Sequence, residues 1–573
     1  MAGEGRVLVT GGYNAGTAML KIEEKADGSV GVTEVFKNPD FGAHTQPPIL
    51  HNGHFYAHYA DGLLLVSDGN TKRAAVLQST QKRMHHMRHR RTLLMAIAAL
   101  GAATLVAPIL AQSTARATAQ SDPAAAHWPR FRGPNSNPVS ENPNLPVSWS
   151  KTENVEWVAD VPGVGWSSPV VWGNRVFVTA ATSDKPMKPP SQGVDFSNEY
   201  LAELRKQGLS AAEANKKLYE RDREMPDEIV ISLKLFCYDL ETGKTLWERE
   251  MYKGRPAGGR HSKNSFASET PTTDGERVYV YLTDYGLFAY DFEGKQTWTT
   301  PLKSHATTRD WGTGASAALH KDRLFVLNDN EEQSFVAAFD TRTGKELWRT
   351  PRTVQPARKT GWSTPFVWEN RARTELVTLG PGVAISYSLE GAELWRMNRM
   401  GGYAIQSPFA WNDVLFVTSG AGGEDHRPIV AIRAGGSGDI TPPASETRNE
   451  HVAWYEQAAG GTYLPTPVIY KNALYVLNDK GIFSRRNPET GERIYQSRVA
   501  PGAAAFTASP WAYNGHVFVM SEEGDTFVIE AANEYRLVRT NSLEDFSMAT
   551  PAIVGDRLLI RTQHRLYSIR NRR

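Results

Sequence analysis

From about residue 150 onward, hydrophobic positions fall in short runs bounded by polar turns, and the runs recur in one order. Each unit opens on a Ser-x-Pro type of phrase, continues through an aliphatic run and closes on Gly-x-x-x-Trp. The opening half reads SSPVVWGNRVFV from Ser167, ETPTTDGERVYV from Glu269, STPFVWENRARTELV from Ser363, QSPFAWNDVLFV from Gln406, PTPVIYKNALYV from Pro465, ASPWAYNGHVFV from Ala508 and ATPAIVGDRLLI from Ala549. An eighth copy, ASAALHKDRLFV from Ala315, lacks the proline. The closing half reads DLETGKTLW to Trp247, DFEGKQTW to Trp298, DTRTGKELW to Trp348, SLEGAELW to Trp395 and PETGERIY to Tyr495. Self-similarity at a period of roughly 40–50 residues signals a repeat architecture.

Each unit predicts four short strands. The first two are joined by a tight turn at Gly173-Asn174, Asp274-Gly275, Asn412-Asp413, Asn514-Gly515 or Gly555-Asp556, dipeptides that supply the positive φ a hairpin needs. A third strand, such as LFCYDL at Leu235 or LFAYDF at Leu287, leads through a Gly-Lys turn to a fourth that ends on the Trp. Evenly spaced short strands of this kind predict a β-propeller of four-stranded antiparallel blades. The terminal indole is then expected to fill the widening gap between blades. The last unit ends in HRLYSIR at His564 with no fourth strand after it, whereas NVEWVADVP at Asn154 carries Trp157 with no blade before it. Pairing the two closes the ring and removes its exposed edges. The expected fold is therefore all-β, an eight-bladed β-propeller over 151–573 whose last blade is closed by the N-terminal strand.

One interruption falls in blade one, at 185–230. NEYLAELRKQ from Asn198 reads as a helix stopped at Gly208, and Ser210 with Glu213 forms a capping box opening a second helix to about Arg223. This small helical insertion is either a lid or partner element or a tolerated surface insertion. Residues 121–150, rich in Pro and Asn, read as an extended lead-in laid on the ring surface.

Residues 84–120 break the all-β pattern. A basic MHHMRHRR precedes the apolar run TLLMAIAALGAATLVAPILA from Thr92 and small residues after it, the order of a secretory signal peptide. The run is also long enough for a membrane anchor, with its basic flank on the cytoplasmic side. Either reading exports the propeller, to the periplasm or the extracellular space, with membrane contact only through 84–111 if uncleaved. Residues 1–83 repeat the blade grammar about once, in GGYNAGTAMLKIEE and QPPILHNGHFYAHYADGLLLVSDG. A lone blade lacks the stacked neighbours that stabilise a repeat, so 1–83 reads as a stray blade-like segment, a gene-model or fusion artefact.

Composition narrows the function. Hydrophobic content of 40%, 48 Gly and 33 Pro suit a folded chain of strands and turns. With 64 basic and 62 acidic residues the formal charge is +2, which gives no reason to expect nucleic acid as a partner. The lone cysteine, Cys237, permits no intramolecular disulfide and no multi-cysteine metal site, and its place inside a strand predicts burial. HExxH, paired CxxC, GxSxG and GxxxxGK[ST] are all absent from the sequence. GGSGD at Gly435 has no helix after it and reads as a loop.

The repeat itself supplies the candidate site. Trp166, Phe266, Trp311, Trp362, Tyr403, Tyr463, Phe506 and Phe546 stand one per unit just before the innermost strand. They are expected either to ring one mouth of the central channel, as a binding surface for a peptide, sugar or flat cofactor, or to wedge between blades. His261, in GGRHSKNSF, is a further polar candidate near that mouth or a solvated loop histidine.

WPRFRGPN from Trp128, the Gly-Lys-x-x-Trp blade ends and PIVAIRAGGSGDIT from Pro428 together resemble the PQQ-like β-propeller repeat family of exported bacterial proteins. Its wider superfamily includes quinoprotein alcohol dehydrogenases and the propeller lipoprotein of the outer-membrane barrel assembly machine, so the resemblance implies fold more than function. A dehydrogenase of this type implies PQQ held under a ring of adjacent bonded cysteines, beside a calcium with carboxylate and amide ligands. Adjacent cysteines are absent; Glu269, Asn264, Asp310 and Asp545 are the oxygen-donor candidates, and Trp311 or Trp362 the aromatic floor. The lipoprotein likeness implies an anchoring cysteine at the cleavage site, and none occurs between Met84 and Ala126. The expectation is an exported, non-catalytic binding or scaffold propeller without a cofactor. It takes a protein or small ligand at the channel face through Trp166, Glu269, Trp311, Trp362, Tyr403 and Tyr463. The alternative is a PQQ- and calcium-dependent oxidoreductase with a degenerate site.

Overall fold

The structure, a computed structural model, describes residues 127–572 apart from 192–196, 223–224, 227, 355–358, 422–423, 425, 458–459 and 500–504, together with the backbone of seven strands between Arg6 and Leu77. The segment 84–120, with its apolar run, lies outside these residues. No helix among the described residues is long and apolar enough to cross a membrane.

The chain divides into two units, Met1–Arg116 and Ala117–Arg573. The first contains a three-stranded sheet, Arg6–Thr10, Thr17–Glu24 and Val30–Asn38, and a four-stranded antiparallel sheet, Ile49–His51, His54–His58, Leu64–Ser67 and Ala74–Leu77, in sequential order. The second unit is an eight-bladed β-propeller of antiparallel four-stranded blades. The innermost strands of blades 1–8 are Val170–Trp172, Thr272–Thr273, Ala318–His320, Phe366–Glu369, Phe409–Trp411, Val468–Tyr470, Trp511–Tyr513 and Ala552–Val554. Blade 8 takes its outermost strand, Val155–Asp160, from the start of the ring, paired antiparallel with Arg565–Arg570.

The repeated phrase has a packing reason. In all eight blades the pairing of third and fourth strands slips by one residue, as at Ala289/Tyr290 and Ala338/Phe339. A bulge at this point re-aims the next side chain. The aromatic beside it faces a small residue on the third strand: Cys237 opposite Trp247, Ala289 opposite Trp298, Ala338 opposite Trp348. Cys237 is thus a space-saving residue under an indole, and burial pushes its thiol up to about 12. At five blade boundaries the indole N–H then donates to a turn carbonyl of the next blade: Trp157 to Leu240, Trp247 to Phe292, Trp298 to Thr341, Trp348 to Leu389 and Trp454 to Pro488, at 2.8–2.9 Å. The ring of each indole lies on the turn glycine, so a Cβ on Gly243 would sit 2.5 Å from Trp157. Glycine is required there both for its φ of +68° and for the missing side chain. Trp298→Phe keeps the ring and removes the donor. Its expected cost is about 1–2 kcal/mol, read as a lower urea midpoint at unchanged slope.

The boundary between blades 4 and 5 departs from this rule. Trp395 donates its N–H at 2.8 Å to Glu375, a fully buried carboxylate of its own blade. It cannot dock on a short turn of blade 5, because that turn is replaced by an excursion through 434–451. Gly438–Asp439 within the excursion pairs in parallel with Trp395–Arg396, adding a fifth strand to blade 4. The GGSGD segment expected as a plain loop therefore extends a sheet. The closing ring is clamped by Arg557, which binds Glu156 of the borrowed strand at 2.7 Å and Glu241 of blade 1 at 2.9 Å.

The lead-in reaches across the ring. Trp128 pairs with Val171 of blade 1, Pro129 accepts from Thr273 of blade 2, Arg130 donates to Leu319 of blade 3, and Val139 pairs with Ala512 of blade 7. Arg132 is fully buried with φ 62° and donates to the carbonyls of Thr466 and Pro467 in blade 6. With no carboxylate beside it, burial lowers its pKa to about 9.

Candidate functional site

One cavity of about 590 Å3 occupies the channel. Its lining includes Phe131 of the lead-in together with Trp166, Trp311, Trp362, Tyr403 and Tyr463. Trp311 is the centre of the aromatic wall: its ring lies 6.2 Å from Trp362 and 6.2 Å from Tyr403, and Tyr403 stands edge-on to Tyr463 at 5.7 Å. Backbone anchors fix two of the indoles. Trp166 donates to the Lys263 carbonyl at 3.1 Å and Trp362 to that of Gly312 at 2.8 Å.

Five of the six sequence candidates therefore share one cavity, and Glu269 stands apart. Its side chain is 3% exposed behind the wall, accepts from Thr313 Oγ1 at 2.7 Å, and is pushed up to about 7 by burial. The other aromatic positions split as well. Phe506 is fully buried against Phe527 and packs between blades 6 and 7. Phe266 faces a separate cavity of about 500 Å3, under the Arg260 guanidinium. Phe546 meets Trp166 edge-on at 5.2 Å. The pre-strand aromatics thus form an arc with wedges at its ends, because loop lengths differ from blade to blade.

The helical insertion forms part of this cavity. α1 (Ser197–Lys206) and α2 (Ala211–Asp222) pack together, and Leu201, Asn215 and Leu218 line the same space as the indoles. The capping box is formed, with the Ser210 hydroxyl 2.6 Å from Glu213.

Below the aromatics runs a belt that the sequence reading did not single out. The residue before the repeat proline is Ser or Thr in every unit: Ser168, Thr270, Ser316, Thr364, Ser407, Thr466, Ser509 and Thr550, with Ala317 in the proline place of the third. Six of these hydroxyls accept the backbone N–H of the preceding blade's equivalent at 2.9–3.1 Å. The chain of bonds runs from Ser168 to Thr364 and again from Ser407 to Thr550. Its two breaks leave the Ser168 and Ser407 hydroxyls buried without a partner. All but Ser168 line the cavity. The Ser/Thr-Pro pattern was the available signal; its meaning depends on the neighbouring blade.

Charge in the cavity is close to balanced. Lys263 reaches the fully buried Glu522 at 2.6 Å, and Arg309 lies over the Trp311 ring. The carboxyl of Asp479 is raised by burial, against the pull of Lys480, Lys263 and Arg427. His261 packs edge-on to Trp311 at 5.0 Å and accepts the Lys263 N–H, so it belongs to the wall. The remaining oxygen-donor candidates do not converge. Asn264 donates to the carbonyls of Trp311 and Thr313, and Asp545 accepts from Thr562 and Tyr567. Among the described residues no three His, Cys, Asp or Glu side chains gather to hold a metal ion. This donor set does not fit a quinone held beside calcium under bonded cysteines.

The model of the family described as outer membrane protein assembly factor BamB, a PQQ-like repeat model, matches residues 206–373 and 332–572. The chain belongs to this family. Three solved structures are similar to the chain at low identity. BamB from Moraxella catarrhalis is 12% identical, with TM-score 0.42, over 60% of this chain and 94% of its own. Quinohemoprotein alcohol dehydrogenase from Comamonas testosteroni is 11% identical, with TM-score 0.48, over 78% and 81%. A europium-containing methanol dehydrogenase is 9% identical, with TM-score 0.47, over 78% and 98%. No curated protein matches the chain.

Proposed function

We propose that this BamB-family propeller is an exported, non-catalytic binding protein whose ligand is a small molecule held in the channel cavity. The carrying observation is convergence: Phe131 of the lead-in, the aromatic arc, and Leu201, Asn215 and Leu218 of the helical pair line one space. A space of about 590 Å3 lined by indoles and a few fixed polar groups has the size and make-up of a small-ligand site. Export rests on the basic and apolar segment from Met84.

Tryptophan fluorescence tests the reading, because three cavity indoles report on occupancy. In a titration of the full chain against a library of small molecules, ligands that quench or shift the emission are expected to lose at least about tenfold in affinity in Trp362→Ala, the loss of one aromatic platform. Ligands that bind Trp362→Ala as tightly as wild type would place the site elsewhere. Incubation with PQQ and calcium is expected to leave no stoichiometric chromophore and no dye-linked alcohol oxidation; both together would overturn the non-catalytic reading.

A further inference from the structure

The waist of the channel is a ring of hydrogen-bond donors. A hydroxyl carries one proton and two lone pairs. In six belt residues a lone pair is taken by a neighbouring N–H, so the proton remains to be given. None of the eight hydroxyls donates to another described residue, and those of Ser168 and Ser407 have no partner of either kind. Ser407 is 5% exposed and lines the cavity. A buried polar group left without a partner is costly. Seven of them, all but Ser168, line the cavity, so a molecule with many acceptor atoms meets more of them than a single small ion would.

The surroundings choose among such molecules. A polyanion calls for a cluster of cations, but in this lining Lys263 is paired with Glu522, and the other charged side chains are one base, Arg309, and one acid, Asp479. The half-buried indoles Trp311, which carries Arg309 over its ring, and Trp362 bring apolar ring surface to the cavity, the contact that complements hydroxyl bonding on a sugar ring. We infer that the cavity takes a neutral, polyhydroxylated ligand, a saccharide of two or three units, stacked on Trp311 and Trp362 with its hydroxyls accepting from the belt. This rests on the cavity being the ligand site.

Ser407→Ala is the decisive variant, because its hydroxyl makes no bond within the protein and its removal leaves the belt intact. Ser168→Ala removes the other unpartnered hydroxyl outside the cavity lining and reports on the fold alone. The probes are cellobiose, maltotriose and diacetylchitobiose, with trigalacturonic acid as the charged control, titrated into the full chain by fluorescence and calorimetry. At least one neutral probe is expected to bind. Ser407→Ala should weaken it about five- to tenfold, with unchanged melting temperature, while Ser168→Ala binds as wild type. Unchanged affinity in Ser407→Ala would overturn the role of the belt. If no neutral probe binds at about 10 mM while another small molecule binds in a Trp362-dependent way, the ligand class is wrong and the cavity reading stands. If nothing binds through Trp362, both fall.

Discussion

Arg352→Met is expected to lower the unfolding free energy by about 3–5 kcal/mol, the usual cost of leaving a buried charge without its partner. Arg352 follows the outer strand of blade 3 and reaches Asp329 of the same blade through Nε at 2.8 Å and Nη2 at 3.1 Å. Its Nη1 donates to Thr378 Oγ1 at 2.5 Å and Tyr387 OH at 3.0 Å, both in blade 4. Neither charged side chain has any exposure to water, so salt cannot screen the pair. Methionine fills much of the space but leaves Asp329 as an isolated buried carboxylate. Lysine keeps the charge and lacks the planar fork, and Arg352→Lys should lose nearly as much. The double replacement Arg352→Met with Asp329→Leu is expected to recover most of the stability, because no uncompensated charge remains. Urea denaturation of the three variants checks this. A loss below about 1 kcal/mol in Arg352→Met would mean that Asp329 is not held by this pair.

Glu269→Gln should act in the opposite direction, and only at high pH. The Glu269 carboxyl is buried with one hydrogen bond from Thr313, and burial, reinforced by the nearby Asp284, raises its pKa from 4.5 to about 7. The folded chain therefore holds this proton more tightly than the unfolded chain does. Below pH 4.5 the group is protonated in both states and its contribution is fully present. As pH rises toward 7 the unfolded chain ionises first and stability falls; above 7 the loss is complete. A shift from 4.5 to about 7 corresponds to about 3 kcal/mol. Glutamine keeps the acceptor for Thr313 and removes the titration. It is expected to match wild type at pH 4 and to exceed it by up to about 3 kcal/mol at pH 8. Denaturation midpoints across that range decide the matter: a difference independent of pH would show that Glu269 titrates normally.

The Glu269 result bears on how the site was read. In sequence, an acid immediately before the Thr-Pro phrase looked like a mouth residue, on the same footing as Trp311 and Tyr403. In the fold it lines a separate small space with Arg260, Ser265, Phe266, Gly312 and Thr313, and accepts from Thr313. Sequence position places a residue near a blade mouth; which way its side chain faces depends on loops from other blades.

The blades themselves were legible because a hairpin is a local decision. Asn412-Asp413 and Asn514-Gly515 adopt positive φ at both turn positions, and the alternating exposure of outer strands such as Gln296–Pro301 follows the two-residue period of an extended chain. The borrowed strand at Trp157 could be found too, since the repeat left one unit short and one strand spare. Likewise Ser210 and Glu213 announced their helix three residues apart.

The cavity has no such local origin. It brings Phe131, Leu201, Leu218, Trp311 and Tyr463 to one space from separate stretches of chain, and nothing in the spacing of these residues encodes their meeting. The same is true of the hydroxyl belt, where Ser or Thr before proline is a plain feature of each repeat. Only when the ring closes do six of the hydroxyls find the N–H of the blade before them, and only then do seven of the eight come to line one space. Period and turn chemistry made the blades; long-range packing, which alone brings the helical pair, the lead-in and the polar groups to one space, made the site.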